Sequence, residues 1–491
     1  MRKTRALLFG GLGSVVAYLA FVEFTSGIIQ GYYTPFMSDI ARHLDVTDAD
    51  VNWLEGAQLM LSALVVPALS KLGDMIGHRR MLLLSTAVTF FASVLIAVAP
   101  VFWLFLIAWS LQGFYVVWLP LEIALIYIRS REVSTDAPAA LTRRAAGVLV
   151  AALELGAIAG ALTGGALIDA LPLQFVLVLP AVVVGVCWIV IAVGVRETER
   201  RPGPAGFDTI GLVVVTGALI LLMGSLFVLR GSGIDVGSGG FWAAVTMLLL
   251  GAIGLYAFAR FELRHPDPVI DVRMFADPAL WPVFATAGLF GMSVLGAQAP
   301  LSTFARTDPE IYGFGLGTSG FATSLIIGLY LIAMTVGAML VPLASRLTTP
   351  RWALVMACLL VAAGYGMFLP MHDHYGQVIA NMAVAGLGSG ALVASLPAAA
   401  AAAATVQQTG VATGMTNSVK TVGGAVASCI FGLALSSFAA TAGTVPEGTA
   451  GSYTGYLTVW TVCSVTAIAA AVLLLFVPKH AFGDRIAPVA A

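Results

Sequence analysis

Residues 102–128 read FWLFLIAWSLQGFYVVWLPLEIALIYI and residues 145–168 read AAGVLVAALELGAIAGALTGGALI. A basic link, Arg129-Ser-Arg131 through Arg143-Arg144, joins them. Each run is long enough to cross a bilayer as a helix, which takes about 20 apolar residues. Each also carries one carboxylate, Glu122 in the first and Glu154 in the second. A carboxylate near the middle of a membrane helix costs roughly 3 kcal/mol to insert, so two on consecutive helices point to a polar interior. In the second run Gly156, Gly160, Gly164 and Gly165 are spaced so that another helix backbone can come close. The hairpin predicts an all-α integral membrane protein built around a cavity that these two helices and the first one line.

The rest of the chain agrees. Of 491 residues, 59% are hydrophobic and 10% charged, and the mean hydropathy is +0.96. That excludes an ordinary soluble domain, and the apolar runs are too long and unbroken for barrel strands. No basic stripe suggests nucleic acid. Cys187, Cys358, Cys429 and Cys463 each lie inside an apolar run without His partners or paired spacing, and read as buried small residues. His372-Asp373-His374 lacks further ligands, so no metal is expected. The opening Met-Arg-Lys-Thr-Arg resembles a signal sequence, but no small-residue cleavage site follows, so the run reads as a retained first helix.

The apolar runs predict fourteen transmembrane helices, at 11–34, 51–72, 81–100, 102–128, 144–169, 173–195, 208–229, 241–261, 279–304, 319–345, 352–370, 376–402, 409–438 and 454–477. With both termini cytoplasmic, twenty of the 24 Lys and Arg fall in inner segments and only Arg42, Arg230 and Arg306 in outer ones, with Lys420 inside a helix. That is a strong positive-inside signal. Val66-Pro67-Ala-Leu-Ser70-Lys71-Leu72 recurs as Val341-Pro342-Leu-Ala-Ser345-Arg346-Leu347, and Leu111-Gln112-Gly113 to Leu119-Pro120 more loosely as Leu387-Gly388 to Leu396-Pro397. Predicted helices 2 and 4 thus map to 10 and 12. Two six-helix bundles plus two inserted helices give that offset: 1–200, an inserted pair with its loops at 201–278, and 279–491. Parallel halves of this kind are a transporter plan, with the substrate site between two rocking bundles.

Lys71-Leu-Gly73-Asp74-Met-Ile-Gly77-His78-Arg79-Arg80 joins helices 2 and 3. It resembles the loop 2–3 signature of the major facilitator superfamily, with Ser70, Met75 and His78 departing from it. Gly77 permits a tight reversal. Asp74 is expected to sit against the start of helix 13 near Thr409–Gly410 and against Arg79 or Arg80, latching the cytoplasmic side. A topogenic basic loop is the plainer alternative. The glycine series of helix 5 resembles the family's antiporter signature, with Ala161 in place of Pro, and the resemblance implies that Gly156, Gly160 and Gly164 pack helix 5 against the other half. Generic small-residue packing would look the same. Trp109-Ser-Leu-Gln112-Gly113 resembles a drug-transporter motif that has Arg where Trp109 stands. Asn417-Ser-Val-Lys420-Thr-Val-Gly423-Gly424, Phe207-Asp208-Thr-Ile-Gly211 and Val269-Ile-Asp271-Val-Arg273 look like the fourteen-helix drug:proton antiporter branch.

Glu23, Ser26, Gln30 and Tyr33 share one face of helix 1, and Tyr115, Trp118 and Glu122 one face of helix 4. Such stripes belong in a cavity. Glu23, Glu122 and Glu154 are the expected proton carriers. Glu55, near the outer end of helix 2 with Gln58 and Ser62, could equally be solvated. Glu154 could instead pair with helix 4 groups or Arg144. Neutral Glu hydrogen-bonded for packing is the competing reading of each. Ser26, Gln30, Tyr33, Trp109, Gln112, Tyr115, Trp118, Gln298, Asn381 and Lys420 are the expected cavity lining.

The resemblance implies a monomeric, multi-pass transporter of the bacterial inner (cytoplasmic) membrane. It would export an amphipathic drug or natural product in exchange for protons, with no cofactor. The acidic first half suits cations; Lys420 leaves anions and zwitterions open. No phosphate-cradling G-x-x-x-x-G-K-[ST] is present, which disfavours a primary pump. A same-fold lipid or metabolite carrier, importing or exporting without drug antiport, is the alternative that Trp109 and Ala161 favour. A membrane-embedded enzyme or sensor is remote, because no clustered nucleophile or paired His supports it.

Overall fold

A computed structural model describes residues 13–133, 138–197, 208–233, 235–265, 268, 270–404, 409–437 and 450–476. The opening cluster Arg2, Lys3 and Arg5 lies outside the described residues. Among the described residues every regular element is helical, and fourteen helices are long and apolar enough to cross a membrane. They are α1 (Gly13–His43), α2 (Val51–Ile76), α3 (His78–Val98), α4 (Phe102–Ser130), α5 (Arg144–Ala170), α6 (Leu173–Gly194), α7 (Thr209–Ser232), α8 (Gly239–Glu262), α9 (Trp281–Arg306), α10 (Gly320–Leu347), α11 (Pro350–Met367), α12 (Tyr375–Ala403), α13 (Val411–Ser436) and α14 (Tyr453–Phe476). The chain is a multi-pass membrane protein. The membrane face that carries most Lys and Arg loops is called the basic end here, and the opposite face the far end.

Two helices, α4 and α9, are interrupted where the expectation had them continuous, and α1 runs on past its expected end. The expected first helix stops near residue 34; α1 instead passes through a 3-10 turn at Thr34–Phe36 and resumes over Met37–His43. Pro35 has no N–H to donate, so the α ladder breaks there. α9 breaks after Val294 and restarts at Gln298, with Pro300 in the restarted first turn, where a missing N–H costs least. α4 tightens to 3-10 over Gly113–Val117. The short internal repeat has a structural counterpart: Pro67 and Pro342 both sit inside their helices, α2 and α10.

Two apolar cores organise the helices. One gathers Leu19, Tyr32, Phe105, Trp118, Leu177 and Ile191 from α1 to α6. The other gathers Phe284, Phe304, Phe368, Tyr456 and Trp460 from α9 to α14. The two groups meet where α2 runs along α13 and α5 along α10. α7 lies over the α2–α13 seam, where Val215 and Leu219 pack with Met60, Leu64 and Ala425. At the far end of α7, Arg230 pairs with Asp50, and Phe227 stands edge-on to Trp53 and beside Trp103.

The far end is closed between the groups. Arg306 of α9 holds Asp39 of α1 at 2.7 Å. The Asp169 carboxylate at the end of α5 accepts the Gly320 and Phe321 N–H groups that open α10, both at 2.8 Å. The Ser302 hydroxyl donates to the Thr34 carbonyl. A Cβ at Gly147 of α5 or Gly414 of α13 would meet nothing within 4 Å.

Candidate functional site

Glu23 of α1 and Glu122 of α4 are both fully buried, and their carboxyl groups are near enough to act on each other electrostatically. Among the described residues none of the four oxygens has a hydrogen-bond partner. α6 contributes Cys187, beside Thr25 and the carboxyl pair. Among the described residues no basic side chain neutralises the pair, which is the arrangement least tolerable to two full negative charges.

The close packing of α1 and α5 fixes one member of that pair. A Cβ at Gly27 would run into the Leu153 carbonyl, and Cβ atoms at Gly156, Gly160 and Gly164 would run into the backbone of Phe24, Ile28 and Tyr32. This corrects the expectation that the glycine series faces the other half. The spacing of small residues signals close approach without naming the partner, and the partner is α1. It is Gly165, one residue on, that meets the other half, at Gly320 and Ser324 of α10. The second group repeats the device: Gly291 of α9 packs on the Lys420 backbone and Gly423 of α13 on Gly288.

Between the groups lie two adjoining compartments. The first is lined by Tyr33, Glu55, Gln58, Trp109, Gln112 and Tyr115, among others, with Gln298 from the second group. Glu55 therefore belongs to the chamber wall and is not merely solvated at the membrane face. Tyr115 is within electrostatic reach of both Glu55 and Glu23, so it lies close to the chamber acid and the buried pair alike. Gln112 donates to the Tyr33 hydroxyl and to the Ser93 hydroxyl, both at 3.0 Å. Trp109 packs its ring on Tyr33, 4.8 Å between centroids. An aromatic wall stands where the resembling motif has a cation.

The second compartment is lined by Tyr330, Tyr365, Ile327, Leu331 and Met382, with Val294, Ala297 and Leu301 of α9. Gln30, Thr34 and Gln298 border both. Sequence reasoning missed Tyr330 and Tyr365. Each stands inside an apolar helix, and helix periodicity alone does not tell a chamber-facing Tyr from a core one.

Other expected site residues fall elsewhere. Ser26 is buried on α1 near the pair but lines neither compartment. Trp118 is fully buried and supports Tyr115 from behind, ring centroids 6.3 Å apart. Asn381 is buried too, and its amide donates to the Met371 carbonyl at 2.6 Å, tying α12 to the preceding loop. Both were expected in the cavity lining; an amphipathic stripe shows a polar face without showing which neighbour satisfies it. Lys420 lines neither compartment and is instead the electrostatic neighbour of Glu154 across the seam between the groups. Arg144, the alternative partner for Glu154, is exposed.

The loop between α2 and α3 also differs from expectation. Asp74 is 75% exposed and pairs with His78, 3.3 Å away, not with the start of α13. Arg79 and Arg80 turn to Glu197 instead, whose carboxylate accepts their backbone N–H groups at 3.1 and 3.2 Å. Gly77, at φ +113°, lets the chain reverse under that carboxylate. Glu197 was missed because it lies beyond α6, far along the chain, in a segment read only as hydrophilic loop.

At the far end Asp48 sits near Ser38, Arg42, Asp39 and Arg306. Burial pushes its carboxyl up to about 7, while Ser38 and the arginines pull against that shift. Both ring nitrogens of His372 are engaged, by Phe368 at 2.7 Å and Tyr453 at 2.9 Å. Among the described residues no group of three or more His, Cys, Asp or Glu converges as a metal site would require.

A family model described as Major Facilitator Superfamily matches residues 19–428. The chain is similar to the multidrug efflux pump LfrA of Mycolicibacterium smegmatis, 26% identical over 449 residues, covering 88% of this chain and 83% of that protein. It is similar also to the probable actinorhodin transporter of Streptomyces coelicolor, 27% identical, covering 84% of this chain and 70% of that one. Among solved structures it shares its fold with the POT family transporter PepTSo, TM-score 0.66 at 12% identity, covering 95% and 98% of the two chains. The nucleoside transporter NupG shares it too, TM-score 0.62 at 12% identity, covering 94% and 98%.

Proposed function

The chain belongs to the major facilitator superfamily, and on that premise we propose that it exports a small amphipathic compound in exchange for protons, by alternating access. The observation that carries the coupling is the Glu23–Glu122 pair. Two neighbouring carboxyls shielded from water cannot both be charged, so the pair holds a proton. Wetting of the site on one side of the membrane releases it, and drying restores it. Tyr115 lies within reach of both the pair and Glu55, so a cation arriving at Glu55 acts on the same electrostatic system. Glu154, facing Lys420 across the seam, is the third titrating site of the cycle.

In this reading the basic end faces the cytoplasm, in a bacterial inner membrane and in a monomer. The bodies that rock are 1–200 and 279–491, with 201–278 carrying the inserted pair. The far-end contacts, Arg306 with Asp39 and Asp169 with the start of α10, then close the outside, and the compartments are the substrate site. The relatives are named as a multidrug efflux pump, a probable actinorhodin transporter and a tetracenomycin C resistance and export protein, which supports an organic small-molecule cargo. No cofactor is required, since the proton gradient supplies the energy. The test is transport in proteoliposomes under an imposed pH gradient, with Glu23→Gln, Glu122→Gln and Glu154→Gln. Wild-type transport indifferent to the gradient would remove the antiport reading. A second reading, a same-fold carrier of a lipid or metabolite without drug antiport, is favoured by two buried departures from the motifs, Trp109 in place of arginine and Ala161 in place of proline.

A further inference from the structure

Asp48 lies in the far-end turn between α1 and α2, outside both spans. It is 3% exposed, and among the described residues its Oδ1 has no hydrogen-bond partner. The acids on either side of it are already paired. Asp39 holds Arg306 at 2.7 Å and Arg42 at 3.4 Å. Asp50 holds Arg230 and accepts the Thr47 N–H and hydroxyl at 3.0 and 2.9 Å. Asp48 faces Asp39, Arg42 and the Ser38 hydroxyl from α1, Arg306 from α9 and the Tyr456 phenol from α14, all within electrostatic or hydrogen-bonding influence.

The turn belongs to the first helix group but is seated in the second. Ala49 packs within the second group's apolar core. A Cβ at Gly432 of α13 would press on the Ala49 carbonyl at 3.2 Å. The buried Asn52 amide donates to that carbonyl at 3.1 Å and fixes the turn. Met37–His43 of α1 packs beside Gln298–Arg306 of α9. The two groups cannot part at the far end without lifting this turn off α13, and that admits water to Asp48. A carboxyl kept dry favours its neutral form, and a wetted one its charged form.

We propose that Asp48 is a further proton-binding site, outside the transport path, whose protonation from water at the far-end face favours closure of that end and whose ionisation favours its opening. Burial pushes the carboxyl up to about 7 where the far end is closed, from an ordinary 3.8, against the pull of Ser38, Arg42 and Arg306. Closure therefore takes up a proton. Acid stabilises the closed arrangement, and the effect is lost as pH rises through about 7. The site rests on alternating access between the two groups but not on drug antiport, and it acts without a proton reaching Glu23 or Glu122.

The test is the far-end distance between spin labels on Val101→Cys and Ile311→Cys, both exposed and one on each group, measured by double electron–electron resonance. The full chain is held in lipid nanodiscs without native cysteines, and Glu23, Glu122 and Glu154 are replaced by Gln so that their titration does not contribute. The ratio of short to long distances should be at least about tenfold higher at pH 5 than at pH 8. Asp48→Asn and, independently, Asp48→Ala should remove that dependence. A distance distribution unchanged between pH 5 and pH 8 overturns the proposal. So does a pH response that survives in both Asp48 variants. Transport indifferent to a pH gradient would remove antiport and leave these distances as expected, so the two failures are distinguishable.

Discussion

Arg306 and Asp39 form a two-point ion pair across the far end. The Arg306 Nη2 donates to Oδ1 at 3.0 Å and Oδ2 at 2.7 Å of Asp39. The Arg306 side chain is 12% exposed and Asp39 17%, so water screens the pair weakly. Because the partners belong to different helix groups, the pair biases the transporter toward the state closed at that end. Arg306→Ala should shift the population toward far-end opening by about 1 kcal/mol, roughly fivefold. The measurement is labelling of a Thr34→Cys reporter by a membrane-impermeant maleimide, in a background without native cysteines. Equal labelling rates with and without Arg306 would contradict the role.

The α1–α5 contact makes a sharper prediction about stability. Gly156→Ala places a methyl against the Phe24 backbone, with no flexible side chain to yield. It should cost about 1–3 kcal/mol, read as a lower melting temperature of the purified protein. Gly147→Ala, on the same helix but with open space around it, should stay within about 0.5 kcal/mol of wild type.

At the basic end the prediction concerns Gly77 and Glu197. Gly77→Ala both strains a positive-φ position and drives a Cβ into the Glu197 carboxylate. It should cost about 1–3 kcal/mol. In a Glu197→Ala background the steric share disappears, so the double variant should be less unstable than the two single losses added. Additive losses in a thermal melt would show that the two residues do not meet.

Asp48 predicts a pH dependence. Its carboxyl is up to about 7 in the folded protein, raised by burial from an ordinary 3.8. The folded state therefore holds this proton more tightly than the unfolded state does. The contribution to stability is present in full below about pH 4, declines as pH rises toward 7, and is lost above it. Asp48→Asn should flatten that decline, raising the melting temperature at pH 8 relative to pH 5 when compared with wild type. A wild-type melting temperature that rises steadily from pH 5 to 8, unaltered by Asp48→Asn, would contradict the assignment.

The architecture was readable because hydropathy acts locally. A run of about twenty apolar residues crosses a bilayer as a helix whatever surrounds it, and fourteen such helices lie among the described residues. The carboxylates were readable for the same reason: Glu23 and Glu122 are costly wherever they are buried. Partner choice was not readable. The spacing of Gly156, Gly160 and Gly164 announces a close neighbour, yet only the packed structure makes that neighbour α1. Asp74 and Glu197 show the same limit, since both lie in polar loops and only their approach in space decides which of them caps α3. The break near Leu295 had a visible cause in Pro300, but continuous hydropathy masked it.

The central claim is that the Glu23–Glu122 pair carries the coupling proton. The most direct test is ethidium transport by proteoliposomes of defined orientation, with and without an imposed pH gradient, for wild type, Glu23→Gln and Glu122→Gln. Wild type should accumulate ethidium against its concentration gradient only when protons can flow the other way. Each variant should still equilibrate ethidium downhill but lose at least about tenfold of the gradient-driven rate, the scale of about 1.4 kcal/mol of coupling. Full gradient-driven accumulation in both variants, and in the double variant, would contradict the account.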